Sequence, residues 1–422
     1  MDLEAQLEGM SARKRDALVR AHEYLMPNRV ETWLGAGVPL VIGKREGYRI
    51  WDIDGRELLD LHLNGGTYNL GHRHPDVLAA LREGLERLDV GNHHFPSEAR
   101  SVLAEKLARC TPGDLHYSVF VPSGSEANDL AIRVARHVTG RRKVVALGGA
   151  YHGSTGMSGA VGNDDSARYF CSDYPAEFTK VPFDDLDAME TALRGKDVAA
   201  VLMETIPATI GFPVPSDGYL PGVRALCDAY GALYIADEVQ TGLGRTGCLW
   251  GVEAWNVQPD MLITGKGLSG GLYPVAAVVM TTEVGAWLTE KGWAYVSTFG
   301  GAELGCHVAA RVLDLCAAPE ALANATRISD YLGTGLAGLR ATRRFLVDVR
   351  RKGLVMGLQT SKPMGGVQLS VALYRHGVWA MFAGFDLSVL QFKPGLLVDE
   401  AYCDELLRRL DAALRDVESE GG

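Results

Sequence analysis

The sequence predicts an α/β chain: a large, mostly parallel sheet with helices on both faces, and a second, smaller α+β lobe. Three observations carry this. Between about residues 77 and 280, helical patterns alternate with short apolar runs. Those runs are continuous rather than alternating, as in strands buried on both faces. Beyond about residue 310 the pattern changes to long helical stretches around a few strands, and 422 residues exceed one ordinary domain.

Taken in order, the first 26 residues read as one amphipathic helix. The segment 38–61, VPLVIGKREGYRIWDIDGRELLDL, alternates apolar and polar residues, with Asp54-Gly55 as a hairpin turn. VLAALREGLERL and EANDLAIRVARHV have helical spacing. KVVAL, VAAVLM, ALYIA, MLI and VAAVVM read as buried strands. Long helices follow over 319–340 and 400–418. There is no internal repeat and no low-complexity linker, so the two lobes are expected to pack closely.

Composition narrows the function. Hydrophobic residues make up 47% of the chain, enough for a large core, and the formal net charge is −10 without a basic block. Nucleic acid and anionic membrane are therefore not expected partners. Seven scattered cysteines without a CxxC pair read as idle thiols of a reducing compartment. The charged N-terminus lacks the apolar core of a signal peptide, and no apolar run approaches the roughly 20 residues that span a bilayer. A cytoplasmic protein is the expectation, and no metal-ligand cluster is read.

Two glycine motifs invite a nucleotide reading and fail it. Gly242, Gly244 and Gly247 form a GxGxxG, but they come several residues after the strand, and the acidic residue expected about 20 positions on is missing. GKG at 265–267 is no P-loop, because Gly267 stands where Ser or Thr is required. A nicotinamide enzyme is accordingly the weaker rival.

Asp237 and Lys266 say more as a pair. Each follows an apolar strand, so both belong at one edge of one sheet, where such sheets bind their ligands. A lysine able to form a Schiff base and an acid able to pair with a pyridinium nitrogen are what pyridoxal phosphate (PLP) requires. The glycines beside Lys266 are expected to leave room for the flat ring.

DEVQTGLGRTG, ITGKGLSGGLYPVAAVV and STFGG, with GYRIWDIDGRELLDL and NLGHRHP upstream and LQFKPGLLVD downstream, resemble the class III aminotransferases. The likeness covers most of the chain; the opening segment and LAIRVAR are similar to the glutamate-1-semialdehyde aminomutase branch. It implies a PLP-dependent transferase of fold type I with a seven-stranded sheet. Residues 1–65 would be an N-terminal segment of the small domain, 66–310 the large PLP-binding domain, and 311–422 the C-terminal small domain.

The resemblance also implies roles. Lys266 would be the Schiff-base lysine and Asp237 the partner of the ring nitrogen. Val239 would pack on one ring face and Tyr151 on the other, with His152 nearby, and Gln240 would contact the ring hydroxyl. Ser123, Gly124 and Ser125 would wrap the phosphate at a helix start, which suits an anion. Glu204 would belong to the cofactor site. Ser297 and Thr298 would reach the phosphate of a neighbouring subunit, making a homodimer with shared active sites.

The chain departs from the family at the substrate end. Glutamate-using members carry a glutamate five residues after the first Glu and an arginine near the C-terminus; here those positions are Thr209 and Gln391. Gly395 replaces a proline, and Ala302 and Glu303 stand where Asn and Pro are common. Loss of both charges together is coherent, since either alone would be an unpaired charge. It implies a substrate without a carboxylate at that spot, or recognition by another residue, for which Lys393 is the candidate. The expectation is a ping-pong transaminase acting on small amines and carbonyls, with an acceptor aldehyde or ketone lacking a nearby α-carboxylate. An aminomutase or an amino-acid racemase/epimerase of the same family is the alternative.

Overall fold

The computed structural model describes residues 3–162 and 164–420. Near the N-terminus, the single helix expected over the first 26 residues is two, Leu3–Gln6 and Ala12–Tyr24, and a third, Pro27–Gly35, follows. Local chemistry makes the breaks. Gly9 takes a positive φ of 79°, Ser11 caps the second helix by accepting from Lys14 N, and Pro27 opens the third.

Strands β1 (Ile42–Glu46), β2 (Arg49–Asp52) and β3 (Glu57–Asp60) form an antiparallel meander. Gly55, at φ 93°, lies in the turn read from Asp54-Gly55. Seven strands then build the central sheet: β4 (Leu115–Val121), β5 (Lys143–Leu147), β6 (Phe178–Val181), β7 (Val198–Glu204), β8 (Leu233–Asp237), β9 (Met261–Thr264) and β10 (Ala276–Thr281). Their spatial order is β4-β10-β9-β8-β7-β5-β6, and β10 runs antiparallel to both neighbours. Every residue of β7 and β9 is buried, as the continuous apolar runs require. β4 and β6, absent from the sequence expectation, are the two edges of this sheet, where half-exposed and polar residues blur the pattern.

The remaining strands are β11 (Leu346–Lys352), β12 (Val355–Thr360), β13 (Val378–Trp379), β14 (Met381–Phe382) and β15 (Val389–Phe392). β11, β12, β15 and β14 make a second antiparallel sheet. β13 instead pairs in parallel with β3, so the end of the chain completes the N-terminal meander. Helices Pro319–Thr342 and Glu400–Ser419 pack on one another in this lobe, while Glu303–Ala317 runs across residue 310 and packs on helices Pro75–Leu85 and Glu98–Cys110. One hydrophobic cluster runs from the central sheet into the second lobe, joining Tyr234 and Trp250 to Leu358 and Leu410. Among the described residues no helix is long and apolar enough to cross a membrane. All seven cysteines are free thiols.

Candidate active site

The parallel strands deliver their carboxyl ends to one edge. In register, Glu204 at the end of β7 pairs with Asp237 at the end of β8, and Asp237 pairs with Ile263 of β9. Lys266 follows β9 after Thr264 and Gly265, at a φ of 40° that L-residues avoid at a cost on the order of 1 kcal/mol. The sequence expectation that Asp237 and Lys266 share one sheet edge is met.

Asp237 is buried and fully engaged. Oδ2 accepts from His152 Nδ1 at 2.8 Å and from Asn128 Nδ2 at 3.0 Å, and Oδ1 accepts from Val239 N at 3.1 Å. Burial pushes its carboxyl up, but the His152 hydrogen bond and charge, with the Lys266 ammonium, outweigh that and hold it below the usual range. Asn128 lies within the helix Gly124–Thr139 and also donates to the carbonyls of Gly124 and His152. It ties helix, loop and acid together, a role the sequence reading missed although it quoted the residue.

Glu204 binds protein on both oxygens: Oε1 accepts from Tyr151 N at 3.0 Å and Oε2 from Ala208 N at 3.2 Å. It fixes the backbone of the two loops that carry Tyr151 and Thr209. Its burial pushes the carboxyl above the usual carboxylate range. Tyr151 is exposed, with its hydroxyl 3.2 Å from Ser154 Oγ. Ser123 caps the helix by accepting from Glu126 N, which places the N–H groups of Gly124 and Ser125 in a first turn without intrahelical partners. Ser125 Oγ accepts from Ser154 N at 3.2 Å.

The glycines around Lys266 stand close against neighbouring protein. A Cβ at Gly265 would meet Ala276 Cβ at 3.3 Å and Val239 Cγ1 at 3.6 Å, and one at Gly267 would meet Leu243 Cδ1 at 3.1 Å and the Gly66 carbonyl at 3.3 Å. These glycines let neighbouring protein approach closely. The close approach to the lysine itself comes from Gly65, at φ 70°, where a Cβ would lie 3.1 Å from Lys266 Cε and 3.2 Å from Gln240 Oε1. Asp60 positions that turn by accepting from the backbone N–H of His62 and Leu63 while its other oxygen pairs with His72. Nothing in the sequence alone marks a residue so far upstream as a wall of the lysine site.

The GxGxxG loop joins the lobes. Gly244, at φ 88°, packs under Leu396 and Leu322, and Glu238, buried at the loop's start, accepts from Thr241 Oγ1 and from Gly251 N and Val252 N.

At the substrate end the structure brings Thr209 and Gln391 together. Gln391 Nε2 donates to the Ala208 carbonyl at 2.9 Å, and Thr209 Oγ1 donates to the Gly149 carbonyl at 2.6 Å. Lys393, on the same side of the chain as Gln391, donates to Gln391 Oε1 at 2.6 Å and lies 3.1 Å from His62 Nδ1. Ser297 lines a hollow beside β4 with Ser118, Val119 and Phe120, and Thr298 follows it in the chain.

The arrangement of a lysine and a hydrogen-bonded acid at the ends of neighbouring parallel strands defines a class of sheet-edge cofactor enzyme. The comparisons make it specific. The family model of aminotransferase class-III matches residues 35–414, and the chain belongs to that family. It is 43% identical, over 95% of its length and 94% of the relative's, to an uncharacterised aminotransferase of Archaeoglobus fulgidus. Ornithine aminotransferase of Toxoplasma gondii ME49 superposes with a TM-score of 0.89 at 28% identity, covering 100% of this chain and 99% of that one. Taurine:2-oxoglutarate aminotransferase of Bifidobacterium kashiwanohense, solved with PLP and glutamate, gives 0.88 at 26% identity, covering 96% and 98%. The fold is that of the PLP-dependent aminotransferases, and the family implies PLP. The residues present fit that group: His152 Nε2 and Asn128 Oδ1, on the two side chains bonded to Asp237, are buried without a protein partner.

Proposed function

We propose that the chain is a transaminase that moves an amino group between a donor amine or amino acid and an aldehyde or ketone acceptor in a ping-pong cycle, with Lys266 holding PLP as a Schiff base. The observation that carries this reading is the Asp237–Lys266 pair at neighbouring strand ends, with the acid held below the usual carboxylate range by His152 and Lys266 and also hydrogen-bonded by Asn128. When bound, PLP supplies a carbonyl that takes up the amino group and a ring that withdraws electrons from the substrate carbon.

The protein's part is positioning and proton movement. Asp237 holds a proton on the ring nitrogen, and His152 and Asn128 fix the carboxylate for that task. The Lys266 amine moves a proton at the substrate carbon that bears the nitrogen. The first turn at Ser123, Gly124 and Ser125 binds the phosphate through free N–H groups and the helix dipole. Val239 and Tyr151 flank the ring, and Gln240 meets its hydroxyl. Glu204 serves the site by holding Tyr151 in place.

A homodimer is part of this reading. Trp293, Val296 and Phe299 are exposed beside Ser297 and Thr298, an apolar strip that a second copy would cover. Residues 1–65 and 311–422 are read as one small domain, supported by the β3–β13 pairing.

The test is the visible spectrum of the purified protein titrated with amines and amino acids. A cofactor band removed by one donor and restored by a carbonyl compound is the expected result. A band that no donor removes would favour the aminomutase or epimerase alternative, and no band at all would overturn the reading.

A further inference from the structure

Lys393 is an anomaly by ordinary rules of burial. Its side chain is 1% exposed, yet its partners among the described residues are two neutral acceptors, Gln391 Oε1 and His62 Nδ1. A lysine this deep normally faces a carboxylate. The surrounding charges deepen the imbalance. Lys266 and Arg245 face it as cations, and Arg245 is itself buried against the carbonyls of Pro394 and Leu354. The acid near it, Asp60, is already committed to His72 and to the backbone of the His62 turn.

The cluster is aimed at the reaction centre. His62 opens the turn whose Gly65 stands against Lys266. Gln391 is pinned through its amide to Ala208, which turns its carbonyl oxygen onto the lysine.

We propose that Lys393, with Gln391 and His62, is the receptor for the carboxylate of an amino-acid donor, and that the same group admits an acceptor lacking that carboxylate without rearrangement. The proposal rests on the transaminase reading above and names its donor class. The physical reason lies in the lysine's state at rest. Burial, then the Lys266 and Arg245 charges, push its amine well below the usual lysine range, so the empty receptor gives up its proton more readily than an ordinary lysine. His62 is likewise held well below its ordinary value by burial and by Lys393 and Lys266. An uncharged acceptor leaves the lysine on its two neutral partners. An arriving carboxylate supplies the missing counter-charge and favours the protonated amine, so proton uptake from solvent accompanies the charge-assisted bond. Two different substrates can thus use one site, with a proton doing what a swinging charged pair would otherwise do.

The experiment uses the holoenzyme and matched probes: L-alanine with ethylamine, L-phenylalanine with phenethylamine, and L-ornithine with putrescine. Dissociation constants come from titration of the cofactor band. In at least one pair the amino acid should bind ten-fold or more tighter than its amine, and calorimetry in two buffers should count one extra proton taken up. Lys393→Met should erase the preference and the extra proton while leaving the cofactor spectrum in place. Gln391→Glu, which sets a fixed carboxylate beside the amine, should do the same and guards against a Lys393 variant that fails to fold. The absence of any carboxylate preference in the unmutated enzyme, whether through equal binding or none, overturns the proposal, as does a preference that survives both substitutions. A missing cofactor band in the unmutated enzyme would instead sink the transaminase reading.

Discussion

The ring of Tyr48 occupies the space that a side chain at position 395 would need. A Cβ on Gly395 would lie 1.8 Å from Tyr48 Cε1 and 2.3 Å from Cζ. The ring cannot swing away cheaply, because its hydroxyl donates to the Asn69 carbonyl and accepts from Leu397 N. Gly395→Ala is therefore expected to cost about 2 kcal/mol by overpacking, read as a lower denaturation midpoint. In a Tyr48→Ala background the same change should cost much less. Equal penalties in both backgrounds would show that the tyrosine is not what selects glycine.

Gly65→Ala tests the wall of the lysine site. The new methyl would press on Lys266 Cε and Gln240 Oε1 in a backbone region that alanine adopts poorly. The expected outcome is a loss of cofactor affinity of ten-fold or more in a folded protein, measured by dialysis and absorbance. Unchanged affinity would mean that the turn does not shape the site.

Lys266→Ala should abolish the cofactor's lysine-dependent absorbance band, and normal turnover by that variant would refute the assignment. Asp237→Asn should retain cofactor while slowing proton removal by about 10³-fold or more. Asn128→Ala takes one donor from Asp237 Oδ2, so the acid should ionise at higher pH, moving the acidic limb of the rate profile upward. A limb that stays in place would separate Asn128 from the acid's ionisation.

The resting state of Lys393 predicts how stability changes with pH. Its amine is depressed in the folded protein and ordinary, near about 10.4, in the unfolded chain. Between those values the unfolded chain binds one more proton, so stability rises with pH by about 1.4 kcal/mol per unit. The contribution is fully present above the unfolded value and is lost as pH falls toward the folded one. Denaturant titrations between pH 8 and 10 should show this extra slope in the unmutated protein relative to Lys393→Met. Parallel slopes would mean that the lysine is charged at rest.

The buried strands were legible in the sequence because parallel strands covered on both faces need unbroken apolar runs. β4 and β6 were not, since an edge strand carries polar residues that mimic loop. Asp237 and Lys266 could be found because each sits directly after its strand, where local pattern and chemistry coincide. His62, Gly65 and Asp60 escaped for the opposite reason. Their contact with the site is made by tertiary packing, and a turn at positive φ reads locally as a turn and nothing more. The glycines beside Lys266 marked a crowded place in the sequence, but the protein atoms that crowd it, from Ala276, Leu243 and Gly66, come from other elements.

The contact between Lys393 and His62 joins residues 331 positions apart, and β3 likewise waits for β13. Seen from the ribosome, the large sheet and its lysine emerge long before the segment that closes over them. The first strands must remain unpaired at that edge until Val378 and Trp379 are made. A premature stop just ahead of them would leave a chain holding its seven-stranded sheet and Lys266 but neither Gln391 nor Lys393.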